Sequence, residues 1–114
     1  MNRAKSLIKF IDQCPTAFHT VETVENHLTA KGFSELNEDQ DWKVEASKKY
    51  YVKRADASII LFTTPKKISN NTTYKIIGAH TDSPCLKVKS NPTSTKEGYQ
   101  LLNIEIYGGV LLTS

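Results

Sequence analysis

His80 and Asp82 are the residues of this chain whose types and spacing are suited to chemistry. They close the stretch Tyr74-Lys75-Ile76-Ile77-Gly78-Ala79-His80-Thr81-Asp82-Ser83-Pro84-Cys85-Leu86. An apolar run stops at two small residues, the polar pair follows, and a proline redirects the chain. On an extended backbone, residues two apart point the same way, so the imidazole and the carboxylate face one site. An imidazole nitrogen is a good ligand for zinc or cobalt. A nearby carboxylate can fix the ring, polarise a bound water or hold a metal electrostatically. Ser83-Pro84 keeps the backbone extended or turned just after the carboxylate, which stiffens its aim. Taken bare, the pair fits a second reading better, a strand-end histidine hydrogen-bonded to an aspartate.

Other chemistries fit less well. Ser83, His80 and Asp82 lie within four positions, too crowded for triad geometry. Cys85 with His80 as a thiol nucleophile meets the same crowding. His19 and His27 fall eight apart in a helical stretch, where solvent-facing or satisfied structural roles are the expectation. There is no phosphate-binding glycine loop of either common spacing.

The elements that must carry the pair are legible upstream. Ala4, Leu7, Ile8 and Ile11 recur at helical spacing, and Pro15 ends that helix near Gln13. Thr16 suits the N-cap of a second helix striped by Ala17, Val21, Val24 and Leu28, with Gly32 as its left-handed close. Phe33 to Asp41 reads as an irregular link with Leu36 tucked inward, and Trp42-Lys43-Val44 as a short edge strand. Lys49 to Arg54 and Ser58 to Thr63 read as strands joined by Ala55-Asp56-Ala57, the second buried on both faces. Thr73 to Ala79 is the strand that carries the site. Beyond Pro84, Leu86 and Val88 alternate with lysines until Asn91-Pro92 breaks the pattern. Thr93 to Gly98 is a polar turn, and Leu102, Ile104 and Ile106 mark another half-buried strand. The apolar end, Val110-Leu111-Leu112, suggests that the protein continues.

Composition sets the class. The 114 residues fit one domain with a small core, and 39% hydrophobic with 24% charged residues describes an ordinary globular chain. A net charge of +3 with interleaved signs gives no basic stripe for nucleic acid. No apolar run approaches the roughly 20 residues of a membrane span. Cys14 and Cys85 are too few and too distant for a disulfide framework, and a cytoplasmic protein is expected.

The residues around the pair carry a resemblance. Gly78-Ala79-His80-Thr81-Asp82-Ser83-Pro84, with Leu86-Lys87-Val88-Lys89 behind it, resembles the first metal-site motif of the aspartyl aminopeptidase family of dinuclear zinc exopeptidases. Phe10-Ile11-Asp12 and Cys14-Pro15-Thr16-Ala17-Phe18-His19-Thr20-Val21 look like that family's amino-terminal signature. Gly32-Phe33, Leu36, Trp42, Tyr50-Tyr51 and Arg54 follow in the same order, and Glu105-Ile106-Tyr107-Gly108-Gly109 resembles a further block. Several ordered motifs are far more specific than one.

The resemblance implies that His80 is a zinc ligand and Asp82 the catalytic carboxylate. It implies the remaining ligands and a glutamate general base in later sequence, and two zinc ions, with cobalt or manganese as alternatives. The implied fold is α/β. Two helices and a mixed sheet over residues 1–85 begin a three-layer α/β/α peptidase domain, and residues 86–114 begin an inserted β-rich oligomerisation domain. The implied activity is removal of Asp or Glu from peptide amino termini by a homo-oligomer, without nucleic acid or membrane as partner. This chain alone is expected to be inactive, because a catalytic zinc site takes about three protein ligands. In the wider clan the peptide after the catalytic aspartate is often cis, which makes Asp82–Ser83 a candidate for that form. The alternative from another class is a non-catalytic α+β module that binds a partner through exposed sheet edges.

Overall fold

The fold was analysed in a computed structural model that describes residues 2–109. Two compact units divide the chain, Met1–Asp82 and Ser83–Ser114. The apolar end Val110 to Ser114 lies outside the described residues.

In the first unit, helix α1 spans Arg3–Asp12 and is capped by Asn2, whose Oδ1 accepts from Ala4 N at 3.0 Å. Helix α2 spans Ala17–Thr29, with Thr16 as its N-cap. Gly32, at φ +74, takes the left-handed turn that follows it, and the Phe33 amide donates to Leu28 O at 3.1 Å. Strands β1 (Ser34–Glu35), β2 (Lys49–Arg54) and β3 (Ser58–Thr63) form one mixed sheet. β1 runs parallel to β2, and β2 pairs antiparallel with β3 from Lys49↔Thr63 to Arg54↔Ser58. The core consists of Val21 and Leu28 from α2 with Tyr50, Tyr51 and Val52 from β2.

Three consecutive buried residues mean that β2 is covered on both faces. The sequence placed that role on β3, whose Ile60 is 70% exposed. Sheet position explains the exchange: β2 is the middle strand and β3 an edge. Trp42 to Val44 forms no strand. Side chain to backbone bonds hold this stretch instead, Trp42 Nε1 donating to Asn37 O at 2.8 Å and, just beyond it, the Glu45 amide to the Tyr50 hydroxyl at 3.1 Å. Leu36 is half-buried, as expected, and its amide donates to Tyr51 O at 2.8 Å.

Thr73 to Ala79 also forms no strand among the described residues. A strand exists only through a partner backbone, and Tyr74, Ile76 and Ile77 here are almost wholly exposed. Two adjacent isoleucines pointing to opposite sides are the pattern of a sheet interior with neither face covered.

The second unit is a hairpin of β4 (Cys85–Lys96) and β5 (Tyr99–Tyr107). The polar turn expected over Thr93 to Gly98 shrinks to Glu97-Gly98, since Lys96 pairs with Tyr99. Both loop residues have positive φ, +52 and +79, the signature of a tight type I′ connection whose twist suits the strands. The break at Asn91-Pro92 is a shift of register between Val88 and Thr93, after which the strand resumes. Proline cannot donate to a ladder, and Asn103 Nδ2 fills the irregularity by donating to Asn91 O at 3.0 Å.

Candidate metal centre

His80 and Asp82 meet where the sequence puts them, at the end of the extended segment of the first unit. His80 Nδ1 lies 2.7 Å from the Asp82 backbone carbonyl and 3.3 Å from its carboxylate oxygen Oδ1. A carbonyl oxygen only accepts, so in the neutral ring Nδ1 is the donor and Nε2 keeps its lone pair. That is the tautomer a metal ligand needs, fixed by a bond on the opposite side of the ring. The imidazole is 80% exposed, its outer edge open to solvent.

The donor set fits part of a metal site. It supplies one imidazole with a free nitrogen and one adjacent carboxylate. Among the described residues no group of three or more His, Cys, Asp or Glu side chains is arranged to hold an ion. His19 belongs to the cap of α2, with Nδ1 2.8 Å from Thr16 Oγ1. The rings of His27 and Phe10 meet in a T-shaped arrangement, their centroids 6.4 Å apart. Cys14 and Cys85 are free thiols.

The peptide bond between Asp82 and Ser83 is trans, as is every other described one, which corrects the cis expectation. The cis form costs about 3 kcal/mol and persists only where packing enforces it. Here Asp82 is half-buried, and Ser83 and Pro84 are exposed.

The residue between the pair, which the sequence reading passed over, is fastened on both sides. Thr81 Oγ1 donates to Ala57 O in the β2–β3 turn at 2.9 Å, and Thr81 O accepts from Thr20 Oγ1 on α2 at 3.0 Å. The period-two alternation that aims His80 and Asp82 one way already sends Thr81 the other, so a signal for it was present.

Two carboxyl groups of the first unit have their pKa displaced by ion pairs. Glu25 is lowered by its hydrogen bond from Lys53, against the opposing effect of burial. Glu38 is lowered by Arg54, which meets it with two nitrogens. These are pairs that hold α2 and the loop after β1 to strand β2.

Comparison with known proteins gives the family of the chain. Residues 10–114 match the family model described as aminopeptidase I zinc metalloprotease (M18). A relative in Clostridium novyi (strain NT), described as "Probable M18 family aminopeptidase 2", is 45% identical over 97% of this chain and 26% of its own length. A counterpart in Pseudomonas syringae pv. syringae is 42% identical over 95% of this chain and 25% of its own. The chain therefore spans about a quarter of the length of the curated relatives it matches. Among solved structures, one described as the Ape4 and Nbr1 complex matches with a TM-score of 0.89 at 35% identity, over 96% of this chain and 21% of that one. The mApe1 structure of Chaetomium thermophilum matches at 0.87 and 29%, over 96% and 25%. The S. cerevisiae mApe1 dodecamer matches at 0.84 and 28%, over 96% and 26%. With nearly its whole length matched to that model, the chain belongs to the M18 family of aminopeptidase I zinc metalloproteases.

Proposed function

We propose that this chain contributes the metal-ligating imidazole His80 and the catalytic carboxylate Asp82 to a metal-dependent aminopeptidase that removes Asp or Glu from peptide amino termini. The observation that carries the reading is the Nδ1 proton of His80 held on the Asp82 carbonyl, which leaves Nε2 free to bind an ion. Two zinc ions complete the proposed centre, with cobalt or manganese as substitutes. Bound zinc lowers the pKa of a coordinated water and polarises a carbonyl. The chain's own part is to hold the ligand nitrogen deprotonated and to keep Asp82 beside it as an acceptor. By itself this chain is inactive in our reading, since one ligand falls short of the three a catalytic zinc site usually takes.

Residues 1–85 open the peptidase domain of the three-layer family fold and 86–114 open an inserted oligomerisation domain. The described dodecamer of a related structure supports a homo-oligomer. So does the hairpin, where Leu86 opposes Ile106 and Val88 opposes Ile104 in an apolar ladder about half exposed. A cytoplasmic location belongs to the same proposal, as do the absence of a nucleic-acid or membrane role and a peptide with an acidic first residue as substrate.

Hydrolysis of Asp-, Glu- and Leu-initiated peptides tests the reading, measured on the full-length protein and on this chain alone. Cleavage of acidic substrates by the full-length protein, abolished by a chelator and restored by zinc, is the expected result. Preference for Leu removes the acidic specificity, and turnover by the isolated chain removes its inactivity. No turnover by either favours the non-catalytic module.

A further inference from the structure

Thr81 sits between the two proposed site residues and faces away from them. Its hydroxyl donates to the Ala57 carbonyl at 2.9 Å, and its own carbonyl accepts from the Thr20 hydroxyl at 3.0 Å. Both anchors are themselves fixed. Ala57 closes the β2–β3 turn, its amide on Arg54 O at 3.2 Å, with Ala55 and Asp56 both at φ +50. Thr20 stands one turn into α2, next to the buried Val21. By contrast, the approach to His80 from Thr73 has no ladder bond among the described residues and an almost fully exposed apolar surface.

We propose that Thr81 and Thr20 are positioning residues that fasten this segment to α2 and to the β2–β3 turn. Through the backbone they hold His80 with Nδ1 on the Asp82 carbonyl and Nε2 facing outward. The proposal rests on the reading of His80 as a metal ligand. The chemistry explains the residue type. Threonine is stiff at χ1, so its hydroxyl is already aimed. Valine has nearly its shape without the donor, and removing that donor leaves the Ala57 carbonyl without this partner. Thr20 Oγ1 also lies 3.1 Å from Thr16 O and has one proton to share, so its bond is the weaker of the two.

The test uses the full-length protein with Thr81→Val, Thr81→Ser and Thr20→Val. The His80 ring is read by nitrogen NMR in the metal-free state, on the neutral form of the ring, where the two nitrogens report the tautomer separately. The wild type is expected to hold the Nδ1–H tautomer. Thr81→Val populates both tautomers, Thr20→Val does so to a smaller extent, and Thr81→Ser keeps the wild-type signature. Zinc affinity falls about 10- to 100-fold in Thr81→Val and recovers in Thr81→Ser. Should Thr81→Val fail to fold, Thr20→Val, which leaves the Thr16 capping bond to the His19 amide and the buried face of α2 in place, decides the matter. A wild-type tautomer in both valine variants overturns the proposal, as does a tautomer mixture in the wild type. Absence of zinc binding and peptide hydrolysis in the wild type defeats the metal-ligand reading instead, while the ring measurement still judges Thr81 and Thr20.

Discussion

Lys53 Nζ lies 2.9 Å from Glu25 Oε1, and the Tyr51 hydroxyl donates to the same carboxylate oxygen at 3.0 Å. One glutamate on α2 thus gathers two residues of the central strand, with Glu35 a further 3.6 Å from Lys53. The Lys53 bond lowers the Glu25 carboxyl below 4.5 despite partial burial, and Tyr51 adds to the effect. A carboxyl lowered in the fold contributes stability that is fully present above its unfolded value and lost as pH falls through the folded one. The expected outcome is a thermal midpoint that begins to drop below about pH 4.5. Glu25→Gln costs about 1 kcal/mol at neutral pH and flattens this acid dependence. Lys53 is raised chiefly by its bond to Glu25, and Tyr51 chiefly by burial. Both lose their contribution as pH climbs beyond their unfolded values of 10.5 and 10.0. Unfolding curves across the pH range check both limbs, and an unchanged acid limb in Glu25→Gln defeats the assignment.

The hairpin has two glycines at positive φ with different surroundings. At Gly98, φ +79, an added Cβ meets nothing within 4 Å. At Gly108, φ +75, it would come within 3.3 Å of the Pro84 Cα. Gly98→Ala therefore meets only the left-handed backbone penalty of about 1 kcal/mol, and Gly108→Ala adds a contact so close that Pro84 must give by a few tenths of an ångström. Hydrogen exchange along β4 and β5 should show the larger loss of protection near Cys85 and Tyr107 for Gly108→Ala. Glu97→Asn, at φ +52 in the tight turn, should gain a few tenths of a kcal/mol. Equal effects of the two alanines would contradict the close approach.

Much of this arrangement was readable beforehand because the signals are local. Thr16 as a cap, Gly32 as a close, and the β2–β3 pair around Ala55-Asp56-Ala57 each follow from a few adjacent residues. His80 and Asp82 were readable as a pair for the same reason. What failed depended on neighbours the sequence window does not contain. Whether Ile59 to Phe62 or Tyr50 to Val52 is the doubly buried strand depends on sheet order, which apolar content does not encode. Thr73 to Ala79 has the composition of a strand but no partner among the described residues. Asn91-Pro92 does interrupt β4, yet a neighbouring asparagine lets the pairing resume. The Thr20–Thr81 link joins residues 61 apart in the chain, a separation at which side-chain spacing carries no signal.

The core is small enough for single methyl groups to matter. Val21 is the most enclosed side chain, whereas Leu7 on α1 is 58% exposed. Val21→Ala should lower stability by roughly 2 kcal/mol, from lost transfer energy and the cavity left behind. Leu7→Ala in this chain should change it by less than about 0.5 kcal/mol. Urea unfolding of the two variants separates these outcomes. Similar losses would mean that α1 buries a face the structure leaves open.

In the proposed reading His80 and Asp82 have different duties, which substitutions can separate. The backbone carbonyl of Asp82, at 2.7 Å, holds the imidazole proton more closely than its carboxylate does at 3.3 Å. Asp82→Asn leaves that carbonyl in place, so the ring should keep its tautomer and the full-length protein its zinc. Turnover should nevertheless fall on the order of 100-fold or more, the usual cost of losing a positioned charged group in the chemical step. His80→Gln removes the proposed ligand nitrogen itself, so zinc content and activity should fall together. Metal analysis of the purified variants alongside kcat and KM distinguishes the two. Loss of zinc from Asp82→Asn as complete as that from His80→Gln would make the carboxylate a ligand rather than a catalytic neighbour.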